Sequence, residues 1–257
     1  MAPIITLTTD LGLTDAYVAA MKGVMLSINP EAKLVDICHT IKPQNIAQAA
    51  FVLSRACPFF PQGTIHVVVV DPGVGTQRRA IILRTKSASF VAPDNGVLSY
   101  VIGQSSAWEA VAITKPQFWR STVSPTFHGR DIFAPVAARL SLGFPLTDFG
   151  EVITSVTTLP LSQPYQAADG SMVGHIIHID SFGNLITDIK SSDLPQPKQA
   201  VTIEVGNQLI SGLSRTYAEG SGLLALIGSD GYLEIAVKEG SASAFLDAEV
   251  GDEVRIR

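Results

Sequence analysis

The sequence lacks the features that mark disulfide-rich, membrane-spanning or nucleic-acid-binding chains. Only two cysteines occur among 257 residues, too few for a disulfide framework. The longest apolar runs, such as the four valines before Asp71, have the length of a strand and fall far short of a membrane span. Lysine and arginine form no run, and the net charge of −5 provides no basic field for a phosphate backbone. We therefore expect no membrane span and no nucleic-acid partner.

Apolar residues are abundant, and they indicate a globular chain of one or two domains. They make up 46% of the sequence against 16% charged residues, which is typical of a well-filled interior. The N-terminal stretch has no basic segment ahead of an apolar core, so we expect no secretory signal. Cys38 and Cys57 lie in apolar surroundings and are predicted to be buried thiols in a reducing cytoplasm.

The hydrophobic pattern changes along the chain and predicts two domains. Residues 1–153 alternate strand and helix patterns, and the apolar run IHVVVV at 65–70 is typical of a strand buried on both faces. We expect an α/β N-terminal domain with a mostly parallel sheet flanked by helices. Residues 154–169 contain two prolines and no helical period, which predicts a linker. Residues 170–257 carry short strand patterns between turns, so we predict a smaller all-β, barrel-like domain.

Three aspartates follow predicted strands of the N-terminal half, where open α/β sheets bind ligands. They are Asp10, Asp71 and Asp94. Asp71 leaves a buried strand and enters a glycine-rich turn. Burying a carboxylate there costs free energy, which a role in binding or catalysis would explain. An aspartate can also cap such a turn through its own backbone. The residues alone leave both interpretations open.

Other polar positions can also be interpreted as either functional or structural. His128, between Phe127 and Gly129 at the start of a predicted helix, could be a base, a ligand or a simple helix contact. The segments 179–184 (IDSFGN) and 228–236 (GSDGYLEIA) place small polar residues beside an aromatic, as ordinary hairpin turns also do. No HxxxH, CxxC or dinucleotide fingerprint occurs, so we predict neither a metal site nor a cofactor.

Six segments taken together resemble the S-adenosylmethionine (SAM) hydroxide adenosyltransferases, or SAM hydrolases, which are relatives of fluorinase and chlorinase. The resemblance runs in order from residue 4 to about residue 240. It implies cleavage of S-adenosyl-L-methionine to adenosine and L-methionine by activated water that attacks the ribose C5′ carbon. The segments are TTDLGLTDAYVAAMKG (8–23), VVDPGVGTQRRA (69–80), APDNGVLS (92–99), PTFHGRDIFAPVAA (125–138), IDSFGN (179–184) and GYLEIA (231–236).

The resemblance also implies roles for individual residues. The catalytic triad that activates water would be Asp71, Arg78 and His128, and halide use is disfavoured because the fluorinase branch carries tyrosine at the aspartate position. The family forms homotrimers with active sites at subunit interfaces. Two arginines of the fluorinase branch are replaced here by Asp230 and Val237. The implied substrate contacts are Asp10 for the ribose hydroxyls, Phe127 as a pocket wall, Asp180 and Ser229 for methionine, and Phe182, Asn184 and Tyr217 for adenine.

Two other functions are compatible with the same residues. A non-catalytic sensor of S-adenosylmethionine or adenosine would keep the pocket without turnover. A metal-dependent nucleotide phosphatase would use acidic and amide side chains at strand ends. The residues available to it are Asp10, Asp15, Asp94 and Asn95.

Overall fold

A computed structural model of the chain describes residues 2–195, 201–220 and 222–257. The chain folds into two compact units, Met1–Pro160 and Leu161–Arg257. Each unit buries its own hydrophobic core. Among the residues that the structure describes, no helix is both long enough and apolar enough to cross a membrane.

The first unit is built on a seven-stranded sheet with four α-helices. Its strands are β1 (Ile4–Thr9), β2 (Lys33–Cys38), β3 (Thr64–Val69), β4 (Ala80–Thr85), β5 (Ala88–Pro93), β6 (Trp108–Ile113) and β7 (Gly150–Ile153). Its helices are α1 (Tyr17–Ile28), α2 (Ile46–Ala56), α3 (Ser99–Gln104) and α4 (Ala134–Ser141). Short helical turns cover Cys57–Phe59, Pro116–Phe118, Gly129–Phe133 and Leu146–Asp148. The strands lie in the order β2-β1-β3-β5-β4-β6-β7.

The prediction of a mostly parallel sheet is wrong, because the sheet is mixed. Strands β2, β1, β3 and β5 pair in parallel, whereas β4 pairs antiparallel with β5 and β6, and β6 pairs antiparallel with β7. The reason is the length of one connection. Only Lys86 and Ser87 separate β4 from β5. A parallel crossover needs a dozen or more residues, so these two strands can form only a hairpin.

Strand β3 lies at the centre of the unit and is buried on both faces, as its continuous apolar run predicts. Val67 and Val69 pack in one core with α1 and α4. Val68 and Val70 pack in a second core with α2 and α3. Since successive side chains of a strand alternate between faces, one strand contributes to both cores and fixes the direction in which Asp71 leaves the sheet.

The second unit is an antiparallel sheet that nearly closes on itself. Its strand order is β12-β11-β15-β9-β10-β14-β13, with β8 paired to β9. The backbone N–H of Ser214 donates to the carbonyl of Ala225 at 2.8 Å, which links the two ends of the sheet. This confirms the predicted barrel-like all-β fold, to which the described residues add a short helix at Ala242–Leu246. The elements are β8 (Tyr165–Gln166), β9 (Met172–Ile179), β10 (Leu185–Lys190), β11 (Thr202–Val205), β12 (Gln208–Ser211), a helical turn (Tyr217–Glu219), β13 (Leu223–Ile227), β14 (Tyr232–Val237), α5 (Ala242–Leu246) and β15 (Glu253–Ile256).

Candidate active site

The carboxyl ends of β1 and β3 open onto a cavity of about 240 Å³ in the first unit. These strands are parallel neighbours, so the residues that follow them meet at one edge of the sheet. Asp94 follows the next parallel strand, β5, but its carboxylate pairs with Arg79 instead. The cavity is lined by predicted and new positions that include Asp10, Gln44, Asp71, Phe127, His128 and Gly129.

Asp71, Arg78 and His128 are in direct contact. The Arg78 Nε–H donates to both carboxylate oxygens of Asp71, at 2.8 and 3.0 Å, and Nη2 donates to Oδ2 as well. The same Nη2 donates to His128 Nδ1 at 3.0 Å. The Asp71 side chain is only 5% exposed and that of Arg78 11%. In a bidentate pair of this kind, each group satisfies the hydrogen bonds of the other where both are shielded from water.

A close backbone approach holds the two loops of this site together. Gly75 has a φ of +77°, and a Cβ there would lie 2.5 Å from the Pro125 carbonyl oxygen. Thr76 tightens the turn by donating its hydroxyl to the Gly73 carbonyl at 2.7 Å. The absence of a side chain at Gly75 therefore lets the loop that carries Arg78 pack against the loop that carries His128.

Replacing Gly75 by alanine should push the loops apart and reduce activity. A left-handed backbone costs a non-glycine residue about 1–3 kcal/mol of stability, and displacement of a reacting group by about 1 Å can cost on the order of 10²-fold in rate. Gly63 is a matched control because it has a φ of +86° and open space at its Cβ position. We expect both alanine variants to unfold at lower temperature and only Gly75→Ala to lose activity. Equal activity in the two variants would contradict this.

A buried ionic cluster fixes the loop around His128. Asp131 is fully buried and accepts from Arg130 at 2.7 and 2.8 Å, from Arg120 at 3.1 Å and from the Ser124 backbone N–H at 2.9 Å. The Arg130 guanidinium also lies 4.9 Å from the ring centroid of Phe127. These contacts join both sides of the loop that carries His128, through Arg130 and Asp131, which do not line the cavity.

His128 is held in the neutral state with a defined tautomer. Burial lowers its pKa, and the positive charge of Arg78 lowers it further, against smaller opposing effects of Asp71 and Asp131. A guanidinium has no acceptor, so Nδ1 must be the acceptor in its contact with Arg78. The proton of the neutral ring is therefore on Nε2, and His128 can offer an N–H donor to a ligand.

The pKa of the His128 ring should lie below the ordinary histidine value of 6.5. Activity should fall as the pH decreases and the ring becomes protonated. Protonation would remove the Nδ1 acceptor and place two cations in contact. The unfolded chain binds this proton more readily, so folding stability also decreases as pH falls from 6.5 toward the lowered pKa. NMR titration measures the pKa of the ring, and a pH–rate profile measures the loss of activity. A midpoint at or above 6.5 would contradict the assignment.

Gln44 is a cavity residue that the sequence analysis missed. Its backbone N–H donates to Asp10 Oδ2 at 2.7 Å, and its φ is +63°, a left-handed conformation unusual for glutamine. The contact holds the Asp10 carboxylate at the cavity wall. No local pattern marks Gln44, because its place depends on the loop between β2 and α2 returning to the end of β1.

The second unit has its own cavity of about 620 Å³. Asp180, Phe182, Asn184 and Tyr217, all predicted substrate contacts, are among its lining residues, whereas Ser229 is not. The residues Phe182 and Tyr217 are 76% and 47% exposed in this unit. Large exposed aromatic rings beside polar groups are suited to stacking on a planar ligand.

A network of acids underlies this second cavity. Asp180 Oδ1 accepts from the backbone N–H groups of Phe182 and Asn184, each at 2.9 Å, and Oδ2 accepts from the Asn184 amide at 3.0 Å. The Tyr217 hydroxyl donates to Glu234 Oε1 at 2.5 Å. Burial raises the pKa of Glu234, and Asp180 raises it further. Glu234 was missed because it lies within an otherwise strand-like segment.

The residues proposed for a phosphatase do not converge. Asp94 binds Arg79 and accepts from the Thr157 backbone N–H at 2.7 Å, while the Asn95 amide donates to the Val70 carbonyl at 2.9 Å. Within the described ranges, no group of three or more histidine, cysteine, aspartate or glutamate residues could hold a metal ion. The donor set that this hypothesis requires is therefore missing from the described residues.

Comparison with known proteins gives matches along the whole chain. The family described as SAM hydroxide adenosyltransferase N-terminal domain matches residues 5–150, and the C-terminal domain of the same name matches residues 174–255. A relative from Salinispora tropica, named (R)-S-adenosyl-L-methionine hydrolase, is 38% identical over 99% of this chain and 97% of its own length. One of the same name from Methanocaldococcus jannaschii is 36% identical, over 98% and 95%.

A more distant relative and a solved structure also match the chain. A fluorinase from Nocardia brasiliensis is 32% identical over 69% of this chain and 68% of its own length. The crystal structure of an uncharacterized conserved protein from Thermotoga maritima is 39% identical, with a TM-score of 0.91, and the match covers 98% of this chain and 99% of that one.

Proposed function

The chain belongs to the SAM hydroxide adenosyltransferase family, and we propose that it hydrolyses S-adenosyl-L-methionine to adenosine and L-methionine. One observation carries the proposal: Asp71, Arg78 and His128 are in hydrogen-bond contact beside a cavity at the carboxyl ends of parallel strands. Four relatives that are 35% to 38% identical over nearly their full length are named (R)-S-adenosyl-L-methionine hydrolase, which supports the same activity.

The chemistry requires activation of the nucleophile rather than of the leaving group. The sulfonium sulfur leaves as a neutral thioether, so no acid has to protonate it. The water oxygen forms a bond to the ribose C5′ carbon, the C–S bond breaks with its electron pair on sulfur, and one water proton passes to a base. Because water is a weak nucleophile, the site must orient it and stabilise developing hydroxide.

The contacts divide this work among the three residues. Arg78 supplies positive charge to developing hydroxide and holds Asp71 in place. His128 has its Nδ1 lone pair engaged by Arg78, so its Nε2–H donates to the water oxygen and leaves the water protons to another group. Among the described contacts, Asp71 Oδ1 accepts only from Arg78 Nε, and a carboxylate oxygen can accept two hydrogen bonds. Asp71 is therefore the base in this mechanism.

The substrate-binding roles follow the resemblance and the two cavities. Asp10 would bind the ribose hydroxyls and Phe127 would shield the reacting centre from bulk water, which strengthens electrostatic interactions. Asp180 and Ser229 would bind the methionine end. The adenine contacts would come from Phe182, Asn184 and Tyr217, which line the cavity of the second unit.

Hydrolysis in oxygen-18-labelled water tests the proposed function. Label should enter the 5′-hydroxyl of adenosine, and the methionine released should carry none. EDTA should leave the rate unchanged, whereas a metal-dependent phosphatase would lose activity. Tight binding of substrate with no product on chromatography would overturn hydrolysis and support a sensor.

The stereochemistry of the substrate is part of the proposal. The sulfonium centre is stereogenic, and the names of the relatives specify the (R) form. We expect this protein to consume the (R) form from a mixture of epimers. The residual substrate can be analysed on a chiral column, and equal loss of both epimers would contradict the expectation.

We also propose a homotrimer with active sites at subunit interfaces, in a reducing cytoplasm. The resemblance implies the trimer, and exposed apolar side chains such as Leu13 and Phe182 are compatible with burial by another subunit. Cys38 and Cys57 form no disulfide, which suits a reducing compartment. Sedimentation equilibrium should give three times the mass of the chain, and a monomeric mass would contradict the trimer.

A further inference from the structure

A second cavity of the first unit lies at the opposite edge of the sheet from Asp71. It has a volume of about 210 Å³ and is bordered by the end of α2, the beginning of β3 and the β4–β5 hairpin. His66 in β3 forms part of its wall. Because His66 precedes Asp71 by five residues along an extended chain, the two side chains are separated by roughly 15 Å. The cavity is therefore distinct from the candidate active site.

Aromatic rings surround the histidine. The Phe90 ring stacks on His66 with a centroid distance of 5.1 Å, and the Phe60 ring meets it edge-on at 5.6 Å. Both phenylalanines also line the cavity, and its polar lining includes Gln104 and Ser105. None of the lining residues is an aspartate, glutamate, lysine or arginine. A charged ligand would have no counter-charge there, so the walls favour a neutral one.

His66 has an unused polar atom. The side chain is fully buried, and Nδ1 shares a hydrogen bond with Thr6 Oγ1 at 2.7 Å. Nε2 is also buried and has no hydrogen-bond partner among the described residues. Burial lowers the pKa of His66 to about 4, so the ring is neutral at physiological pH. Buried polar atoms are nearly always hydrogen-bonded, so an unpartnered one beside a cavity is a candidate contact for a ligand.

We propose that this cavity binds a small neutral nitrogen heteroaromatic compound, of about the size of a nucleobase, through a hydrogen bond to His66 Nε2. A cavity of about 150 Å³ accommodates benzene, so a volume of about 210 Å³ has room for a one- or two-ring compound. Phe60 and Phe90 supply the apolar wall that a flat ring requires. Covalent capture is not part of the proposal, because burial raises the pKa of the neighbouring Cys57 thiol to about 12.

Calorimetric titration with benzimidazole, followed by NMR of histidine labelled at the ring nitrogens, tests the proposal. We expect one site per chain and a shift of the His66 Nε2 resonance. Saturating adenosine should leave binding unchanged. Ala88 lines the cavity and is buried, so Ala88→Leu should occupy its space and weaken binding about tenfold or more.

The controls separate this site from the proposed hydrolase site. Ala88→Leu should still hydrolyse S-adenosylmethionine, since Ala88 lies at the beginning of β5, away from Asp71. If that variant fails to fold, Gln104→Trp at the exposed mouth serves instead and should also weaken binding. Absence of benzimidazole binding, competition by adenosine, or unchanged affinity in a folded variant would each overturn the proposal. None of these results bears on hydrolysis.

Discussion

Asp71→Asn should lower kcat for adenosine release by roughly 10² to 10⁴, with KM changed only about threefold or less. The amide has nearly the same shape, so the loop should keep its conformation. It cannot take a proton from water, and its NH2 group faces the donors of Arg78. The substitution therefore removes the base of the proposed mechanism and the counter-charge of a buried guanidinium, without removing a substrate contact.

Steady-state kinetics and thermal unfolding together distinguish a chemical effect from misfolding. Asp15→Asn is a matched control, because Asp15 is exposed and comes between β1 and α1. It should retain the activity of the original protein. A folded Asp71→Asn variant with undiminished kcat would remove Asp71 from the mechanism.

Arg78→Lys should reduce kcat by roughly 10² to 10³, although the positive charge is kept. The guanidinium donates to the Asp71 carboxylate through two nitrogens and to His128 from the same end group. A lysine ammonium is a compact charge without this fork, so it cannot maintain all of these contacts at the same geometry. His128 would then lose the donor that fixes its tautomer.

The adjacent arginine provides the comparison. Arg79 donates to Asp94 at 2.8 Å and to the Ser155 carbonyl at 3.0 Å, and it does not contact His128. Arg79→Lys should therefore lower the unfolding temperature slightly and leave kcat close to the original value. Similar kinetic losses in the two variants would mean that the guanidinium of Arg78 has no special place in catalysis.

Local sequence patterns predict the parts of the fold that depend on short-range information. The apolar run of β3 predicts a strand buried on both faces, and the structure has it at the centre of two cores. The direction of β4 was mispredicted because its apolar residues resemble those of a parallel strand. Only the two-residue connection between β4 and β5 shows that β4 is antiparallel to β5, and the hydrophobic pattern within a strand carries no information about its direction.

Local sequence likewise predicts some residues of the candidate site and not others. Asp71 and His128 occur in distinctive segments, and the structure brings both to Arg78. Gln44 and Asp131 act through a backbone N–H and a buried ion cluster, so their places depend on how distant loops return. Asp180 has a local structural role as a turn residue, and the sequence cannot separate that role from ligand binding.

The paired arginines restrict how the turn after Asp71 can vary in length. Arg78 and Arg79 are neighbours, yet one binds Asp71 and the other binds Asp94. Insertion or deletion of a single residue between Gly73 and Gln77 would shift both guanidiniums by one position and exchange their carboxylate partners or leave them unmatched. A substitution that leaves Gly75 in place therefore keeps this pairing, whereas a change in the length of the turn would require β4 to re-register against both of its neighbours.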